Sequence, residues 1–230
     1  MPPKPRAAIS WSGGKDSYTA FELARQDFDV VVAMTMIDDE GRRSRSHGIR
    51  VELLREQTTA MGLAHVMRPC DWPSYEDEFA SGLRELRSHD VSHVIFGDIV
   101  YPEHREWAER IAKVAGLIAV EPLWGQTTTA VVNTFLRFGG RALIVTVNAS
   151  ALEQSWLGVE LTPDVVDRLV RLGVDACGEN GEYHTFVIDA PGFSRPVEVV
   201  LGEVVGVRGT WAIDLTPSPS KDGAPHLVVT

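Results

Sequence analysis

The stretch AAISWSGGKDSYTAFELARQ, residues 7–26, decides the fold of the first half of the chain. Its opening AAISW is an apolar run typical of a strand, and Ala20, Leu23 and Ala24 follow later at helical spacing. Between them lies SGGKDS, residues 12–17, with two glycines, two hydroxyls, a lysine and a carboxylate. This order predicts a strand, a tight turn and a helix whose N-terminus faces the turn.

Apolar runs like AAISW recur along the first two thirds of the chain. VVVAMTMI (30–37), HVIFG (93–97) and ALIVTV (142–147) are rich in β-branched residues and lack polar alternation. Such runs are typical of parallel strands that are covered on both faces. Apolar residues at helical spacing occupy 75–86 and 107–114 between them. The alternation predicts an α/β fold with a doubly wound, mostly parallel sheet.

The pattern changes after Val147, and a smaller α+β domain is predicted over 148–230, following a first domain over 1–147. Thr162 as N-cap and Pro163 as the first helical residue open a helix that Gly173 ends. Strand-like pieces separated by glycines follow: EYHTFVI, VEVVLGEVVGVRG and TWAIDL. The segment SPSKDGAP near the C-terminus is turn-rich.

Composition excludes several classes of protein. The net charge of −10 argues against a protein that coats nucleic acid, since that surface needs a surplus of Lys and Arg. No apolar run approaches the ~20 residues of a membrane-spanning helix, and MPPKPRAAIS lacks a signal-peptide core. Cys70 and Cys177 have no metal-ligand spacing, which favours reduced thiols. These features predict a cytoplasmic protein with neither nucleic acid nor membrane as a partner.

The segment SGGKDS is suited to bind phosphate. A glycine-rich turn between a strand and a helix aims backbone N–H groups and the positive end of the helix at one point. Gly13 and Gly14 leave no Cβ in the way and can adopt positive φ, Ser12 and Ser17 add hydroxyls, and Lys15 adds a mobile positive charge. The alternative is a plain turn with Ser12 as N-cap. The GxxxxGK[ST] spacing of a Walker A loop is absent.

Carboxylates accompany this turn and a second motif. Phosphate would repel Asp16 unless Asp16 holds a cation that phosphate also binds, so Asp16 is the candidate ligand for Mg²⁺. GVDACGENGEYHTFVIDAPGF, residues 173–193, contains Glu179 and Glu182 close together. They offer a base, an acceptor for an amine or magnesium ligands, and the alternative is a charged surface turn.

SGGKDS resembles the PP-loop of the ATP pyrophosphatases. Together with FGDIVYPEHREWAE (96–109), EPLWG (121–125) and GENGEYHTF (178–186), it resembles the diphthine–ammonia ligase family, in the same order and from about residue 8 to 193. The resemblance implies a PP-loop α/β domain followed by a smaller domain that carries the substrate-side motif. It also implies ATP and Mg²⁺ as cofactors.

The family reaction is an amidation of a carboxylate on a small molecule or a protein. The carboxylate attacks the α-phosphorus of ATP, pyrophosphate leaves into the PP-loop, and ammonia then displaces AMP. The resemblance implies catalytic roles for Lys15, Arg105, Glu179, Glu182 and His184. It implies nucleotide contacts, along the carboxyl ends of the strands, for Ser12, Gly13, Gly14, Lys15, Asp16, Ser17, Met36, His47, Gly97 and Asp98. It implies a substrate pocket of Trp124, Gly125, Gly178, Asn180, Gly181, Tyr183 and Thr185.

Some of these residues also have plainer interpretations. His47, expected to begin the next helix, could face solvent instead of adenine or phosphate. Trp124 could be a core aromatic residue and Arg105 an ordinary surface arginine. The family usually reads GEGGEYET, whereas this chain has Asn180 in place of a glycine and His184 in place of a glutamate. This form resembles a bacterial branch, for which another carboxylate, such as a metabolite linked to cobalamin salvage, is the expected substrate.

Two other classes of function stay open at this stage. One is a nucleotide-binding sensor without turnover, which would have no need of the GENGEYHTF motif. The other is a PP-loop enzyme that modifies tRNA, which would need a basic surface. The oligomeric state is open as well, with a homodimer as the candidate.

Overall fold

A computed structural model describes residues 3–207 and 209–219 of the chain. Its strands are β1 Arg6–Ser10, β2 Asp29–Ile37, β3 Ala64–Pro69, β4 His93–Ile95, β5 Ile118–Val120, β6 Arg141–Asn148, β7 Tyr183–Asp189, β8 Val199–Val207 and β9 Thr210–Pro217. Its α-helices are α1 Lys15–Ala24, α2 Val51–Ala60, α3 Tyr75–Leu86, α4 Pro102–Val114, α5 Thr128–Arg137 and α6 Pro163–Arg171.

The first sheet has the strand order β3-β2-β1-β4-β5, and each neighbouring pair is parallel. This confirms the α/β fold. The chain moves outward from β1 to β3 and then returns to place β4 on the other side of β1, so the strand order reverses beside β1. Ligands of open α/β sheets bind at such a switch point, outside the carboxyl ends of the strands. The 12–17 turn follows β1 directly at this place.

The segment ALIVTV forms β6, and its assignment to the parallel sheet is wrong. β6 pairs antiparallel with β7 and β9 in a second sheet of order β7-β6-β9-β8. Ala142, Ile144 and Val147 are fully buried because both faces of this central strand are covered. An apolar run therefore looks the same in a central antiparallel strand as in a parallel one. The domain boundary at 147/148 stays a prediction, and the pairing of β6 favours a boundary before that strand.

The helix predictions are mostly confirmed. α3 and α4 contain the stretches 75–86 and 107–114. At α6, the side chain of Thr162 accepts a hydrogen bond from the Val165 N–H, and Gly173 has φ of 80° just after the helix. His47 is an exception, because α2 begins only at Val51 and His47 lies in the preceding loop. The predicted strands after residue 180 form β7, β8 and β9, whereas 220–225 of the SPSKDGAP segment lie outside the described residues.

The first sheet is covered on both faces, as its apolar strands require. Ala7 and Ile9 of β1 face a cluster that includes α1, α5 and the second sheet, and Ala8 faces another that includes α3 and α4. β3 and β5 are edge strands, short or interrupted by polar residues, and the sequence did not indicate them. In the described part of the chain, no helix is both long and apolar enough to cross a bilayer.

The second sheet reaches the 12–17 turn directly. The Val187 N–H of β7 donates to the Gly13 carbonyl at 2.9 Å. The buried Gln57 amide of α2 donates to the carbonyls of both Gly13 and Val187, at 3.0 and 2.7 Å. The start of the chain and its last third therefore meet at the carboxyl end of β1.

Candidate active site

A cavity of about 340 Å³ opens at the carboxyl end of β1 and β4. Five parts of the chain contribute to its lining: Ser10 with the 12–17 turn, Ser46 and His47, the 96–98 segment after β4, His104 on α4, and, from Cys177 onward, the 175–185 loop that leads into β7. A smaller cavity of about 150 Å³ adjoins it and shares Ser10, Ser12 and Ser46. The two predicted motifs, SGGKDS and GENGEYHTF, therefore face one common space.

The 12–17 turn has the geometry of an anion site at a helix N-terminus. Gly13 has φ of 82°, a conformation that favours glycine, whereas Gly14 is the N-cap of α1 with φ of −93°. Gly14 is needed for a different reason, since a Cβ there would lie 2.5 Å from Cε1 of His47. The Lys15 N–H donates to Oγ1 of Thr185 at 3.1 Å. The first N–H groups of α1 point out of the helix, where an anion can accept from them.

The ammonium of Lys15 is held in place, so the prediction of a mobile charge is wrong. Its side chain is 2 % exposed, and Nζ donates to Asp16 Oδ2 at 2.8 Å and to the Cys177 carbonyl at 2.5 Å. Nζ also lies 5.1 Å from the ring centre of Tyr183. Burial alone would lower the pKa of Lys15, but the charge of Asp16 and its other neighbours outweigh burial and raise it. Lys15 is therefore a fixed positive charge in the wall of the cavity.

His47 and His184 form a stacked pair in the wall, with ring centres 4.6 Å apart. Nδ1 of His47 lies 3.1 Å from the Thr185 carbonyl, so this nitrogen carries the proton and leaves Nε2 as an acceptor. Burial lowers the pKa of His184 to about 4, with a further contribution from Lys15, and it lowers the pKa of His47 as well. Both rings are therefore neutral at pH 7.

Two carboxyls that face the cavity are unusually basic. Burial, followed by repulsion from Asp16, raises the pKa of Glu179 to about 7. Burial also raises the pKa of Asp98, which lies 3.5 Å from Nδ1 of His104. A third carboxyl, Glu121 of the EPLWG motif, does not line the cavity. Its pKa is raised to about 7 by burial and by Asp98. A carboxyl with a pKa near 7 exchanges protons readily at neutral pH, which suits an acid–base role.

Glu182 does not line the cavity, although it was predicted to be catalytic. Its Oε1 accepts from the Asp175 N–H and from the Asn180 side-chain amide, and its Oε2 accepts from the Asn180 N–H, all at 3.0–3.1 Å. Asn180 in turn accepts from the Tyr101 hydroxyl at 2.6 Å. These contacts shape the 175–185 loop, so the geometry does not favour the chemical role that remains a prediction for Glu182.

Arg105, Trp124 and Gly125 also lie outside the cavity wall. Arg105 on α4 donates to Glu109 at 2.8 Å, and its guanidinium stacks over Trp124 at 5.1 Å from the ring centre. Met36 lines the smaller cavity, next to Tyr75 and Phe79. The larger cavity includes the following predicted residues: Ser12, Lys15, Asp16, Ser17, His47, Gly97, Asp98, Gly178, Glu179, Gly181, Tyr183, His184 and Thr185. The roles of these residues stay predictions.

Asp175 and Thr128 are residues of this region that the sequence did not reveal. Asp175 Oδ1 accepts from the N–H groups of Cys177 and Glu179, and Oδ2 accepts from the Thr128 hydroxyl at 2.6 Å. An aspartate that precedes a glycine-containing turn is a signal for such bonds, since its side chain can accept from the next N–H groups. Thr128, 47 residues earlier on α5, gives no such signal.

A magnesium site would have to rely on the nucleotide. Within residues 3–207 and 209–219, no three His, Cys, Asp or Glu side chains cluster so as to hold a metal by themselves. Oδ1 of Asp16 is buried without a hydrogen-bond partner beside the cavity, while Oδ2 binds Lys15. One free carboxylate oxygen fits Mg²⁺, which takes most of its ligands from phosphates and water in such sites.

Comparisons with known proteins agree with this fold. A parallel sheet with a glycine-rich turn and a helix N-terminus at its switch point is the arrangement typical of nucleotide-binding α/β proteins. Residues 5–119 match the family model of the diphthamide synthase N-terminal domain, and residues 127–216 match that of its C-terminal domain. The chain belongs to the diphthamide synthase family, which confirms the resemblance seen in its motifs.

Individual relatives show the same likeness. The mouse diphthine–ammonia ligase is 24% identical over 226 residues, covering 87% of this chain and 85% of its own length. The Schizosaccharomyces pombe diphthine–ammonia ligase is 31% identical over 135 residues, which are 56% of this chain and 22% of that protein. A solved structure described as a predicted subunit of tRNA methyltransferase from Methanocaldococcus jannaschii covers 81% of this chain and 98% of its own, with 12% identity and a TM-score of 0.41.

Proposed function

We propose that this protein is an ATP-dependent carbon–nitrogen ligase that adenylates a carboxylate and transfers ammonia to it. The observation that carries the proposal is that the 12–17 turn and the 175–185 loop line the same cavity. A phosphate site and a substrate-side motif in one space can bring an α-phosphorus and a carboxylate together. Holding two reactants at attack distance is the main contribution that a protein makes to such a reaction.

The nucleotide would lie across the two adjoining cavities. The N–H groups of the 12–17 turn would bind the β- and γ-phosphates, with the fixed charge of Lys15 beneath them. The smaller cavity has an apolar side of Met36, Tyr75 and Phe79, against which adenine would pack. Asp16 would hold Mg²⁺ through its free Oδ1, and the metal would neutralise the departing pyrophosphate.

The reaction would proceed in two steps. A carboxylate oxygen of the substrate attacks the α-phosphorus, and the bond to the β-phosphate oxygen breaks to release pyrophosphate. Ammonia then attacks the acyl carbon, AMP leaves with that carboxylate oxygen, and the nitrogen loses a proton. Glu179 faces the cavity with a pKa near 7 and would accept this proton.

The mouse and Schizosaccharomyces pombe relatives support a diphthine-like substrate, since both are named diphthine–ammonia ligases. Asn180 and the neutral His184 set this chain apart from the usual family motif. Asn180 shapes the loop through Tyr101 and Glu182, whereas His184 lies in the cavity wall. His184 is therefore the position at which a different carboxylate would be selected.

An isotope experiment tests the proposal. The protein is incubated with ATP, Mg²⁺, ammonium and a panel of carboxylic acids labelled with ¹⁸O in the carboxyl group, with diphthine-bearing elongation factor 2 as a further substrate. We expect AMP and pyrophosphate, with one ¹⁸O transferred from the acid to the phosphate of AMP. Formation of ADP and phosphate would contradict the proposal. ATP that binds tightly and stays intact with every acid would favour a nucleotide sensor.

A further inference from the structure

The 175–185 loop owes its shape to two carboxylates that accept hydrogen bonds from its own backbone. We infer that Asp175, anchored by Thr128, is a positioning residue that places Glu179 in the active-site cavity and fixes the partner of Lys15. The inference deepens the proposed function and rests on it for the role of Glu179. It assigns Asp175 and Thr128 a part in the site although neither lines the cavity.

Both hydrogen bonds to Oδ1 of Asp175 come from the segment that carries Glu179. Oδ1 accepts from the Cys177 N–H at 2.9 Å and from the Glu179 N–H at 3.1 Å. A carboxylate that accepts from two N–H groups on one side of a turn fixes the path of the chain between them. The Glu179 side chain therefore starts from a backbone position that Asp175 determines.

Thr128 ties this arrangement to the scaffold. Its hydroxyl donates to Oδ2 of Asp175 at 2.6 Å, and its carbonyl accepts from the Cys177 thiol at 3.1 Å. Thr128 is the first residue of α5, whose Val131, Val132 and Phe135 are fully buried in the core. A loop anchored to a packed helix keeps its geometry better than one held only by its own turns.

The 175–185 loop also contacts the 12–17 turn. The Cys177 carbonyl accepts from Nζ of Lys15, and Oγ1 of Thr185 accepts from the Lys15 N–H. Glu182 closes the loop on the far side by accepting from the Asp175 N–H at 3.1 Å. Removing the Asp175 carboxylate would leave two N–H donors unpaired and release Cys177. The Glu179 backbone would then lose its anchor, and the Lys15 ammonium would lose one of its two hydrogen-bond partners, keeping only Asp16.

Cys177 supplies a local probe of this arrangement, and Cys70 an internal control. Both thiols are buried, with Cys177 2 % and Cys70 4 % exposed, but Cys70 belongs to the cluster under α3 and α4. Alkylation by iodoacetamide, followed by mass spectrometry of each peptide, reports the opening of each site separately. It requires no substrate, so its result does not depend on the proposed reaction.

The variants are Asp175→Ala, Thr128→Val and Thr128→Ser, with Asp167→Asn on the exposed face of α6 as the matched control. We expect Asp175→Ala and Thr128→Val to speed alkylation of Cys177 by about tenfold or more and to leave Cys70 unchanged. Thr128→Ser, which keeps the hydroxyl, should behave like the parent and the control. If Asp175→Ala does not fold, Thr128→Val with its serine rescue decides the question.

An unchanged rate at Cys177 in folded Asp175→Ala or Thr128→Val would overturn the inference. A parallel increase at Cys70 would also overturn it, because it would mean a general loss of stability. If the parent protein forms no AMP with any acid, the proposed function fails, whereas the alkylation result still decides whether Asp175 holds the loop.

Discussion

At the scale of single residues, the ionisable groups of the cavity have pKa values shifted from their ordinary ones. Glu179 is a carboxyl with a pKa near 7, while His47 and His184 are neutral rings beside the charged Lys15. All four shifts have burial as their first cause, although at Lys15 the charge of Asp16 and its other neighbours reverses it. Lys15 is buried, whereas Glu179, His47 and His184 are half-buried and border the cavity, so a charged ligand can reach them.

The basicity of Glu179 predicts the pH dependence of the reaction. The carboxyl is an effective base only when ionised, so amide formation should rise as pH increases through about 7. The measurement is the initial rate of AMP formation at saturating ammonia between pH 5.5 and 8.5. Glu179→Gln should bind ATP normally, lose most turnover and show no rise in rate through pH 7. The exposed Glu203→Gln should match the parent. A Glu179→Gln enzyme with parental rate and pH profile would refute the assignment.

Gly14 and His47 should show strong coupling. A Cβ at Gly14 would lie 2.5 Å from the His47 ring, yet φ of −93° is acceptable for alanine. Gly14→Ala should therefore weaken ATP binding about tenfold through this clash, and the loss should shrink when His47→Ala makes room. Calorimetric titration of ATP into both single variants and the double variant measures the coupling. Additive losses would show that the contact with His47 is not the cause.

The polar residues that border the site could be recognised from the sequence, but their contacts and roles could not. SGGKDS and GENGEYHTF were recognisable because glycines and polar groups are dense there. Nothing in the sequence showed that Lys15 would turn inward to the Cys177 carbonyl or that Glu182 would accept from Asn180. Those outcomes depend on which groups meet after folding, over separations such as the 162 residues between Lys15 and Cys177.

At the scale of elements, the loop between β2 and α2 is fastened to the second sheet. Asp214 on β9 accepts from Arg43 at 2.8 Å and from Arg50, through Nε at 2.9 Å and Nη2 at 2.6 Å. Arg50 is the N-cap residue of α2, so this cluster fixes the start of that helix. His47 lies between the two arginines in the chain and lines the cavity.

Replacing Asp214 should destabilise the protein in a pH-dependent way. Hydrogen bonds from Arg50, and then Arg43, lower the pKa of Asp214 to about 2, below the 3.8 expected of an unfolded chain. The stabilisation is therefore present above pH 4 and is lost as pH falls from about 4 to 2. Asp214→Asn should lower the free energy of unfolding by about 1–2 kcal/mol at pH 7, measured by urea denaturation. The exposed Asp39→Asn serves as the control, and an equal effect there would contradict the role of the cluster.

Elements were predictable wherever a local signal existed. The helix α6 has an N-cap, a proline and a terminal glycine, and it forms where predicted. The strand β6 was found, but its partners were not, since pairing depends on strands that follow 35 or more residues later. The short edge strand β5 has only three residues, too few to give a period.

At the scale of the whole molecule, the net charge bears on whether the substrate is a tRNA, a protein or a small molecule. The net charge of −10 gives no general attraction to RNA, and the arginines of the 41–50 segment are partly taken up by Asp214. Binding of a phosphate backbone draws its free energy mainly from Lys and Arg that release counterions. The molecule as a whole therefore fits a small-molecule or protein substrate better than tRNA.

A retention assay tests this expectation. At an ionic strength of about 0.15 M, labelled tRNA should pass a filter that retains the protein, and ATP should not change the result. A basic tRNA-binding protein of similar size provides the positive control. Retention of tRNA at that salt concentration would instead support the tRNA-modifying reading.

The hydrogen bonds between the 12–17 turn and β7 have a consequence for biosynthesis. The carbonyl of Gly13 accepts from Val187, and the first amide of α1 donates to Thr185. Residues near the N-terminus emerge first from the ribosome and fold first, but this turn lacks its partners until β7 has been made. We therefore expect a nascent or prematurely terminated chain that ends before β7 to lack the finished 12–17 turn, and to consume no ATP until β7 has been made.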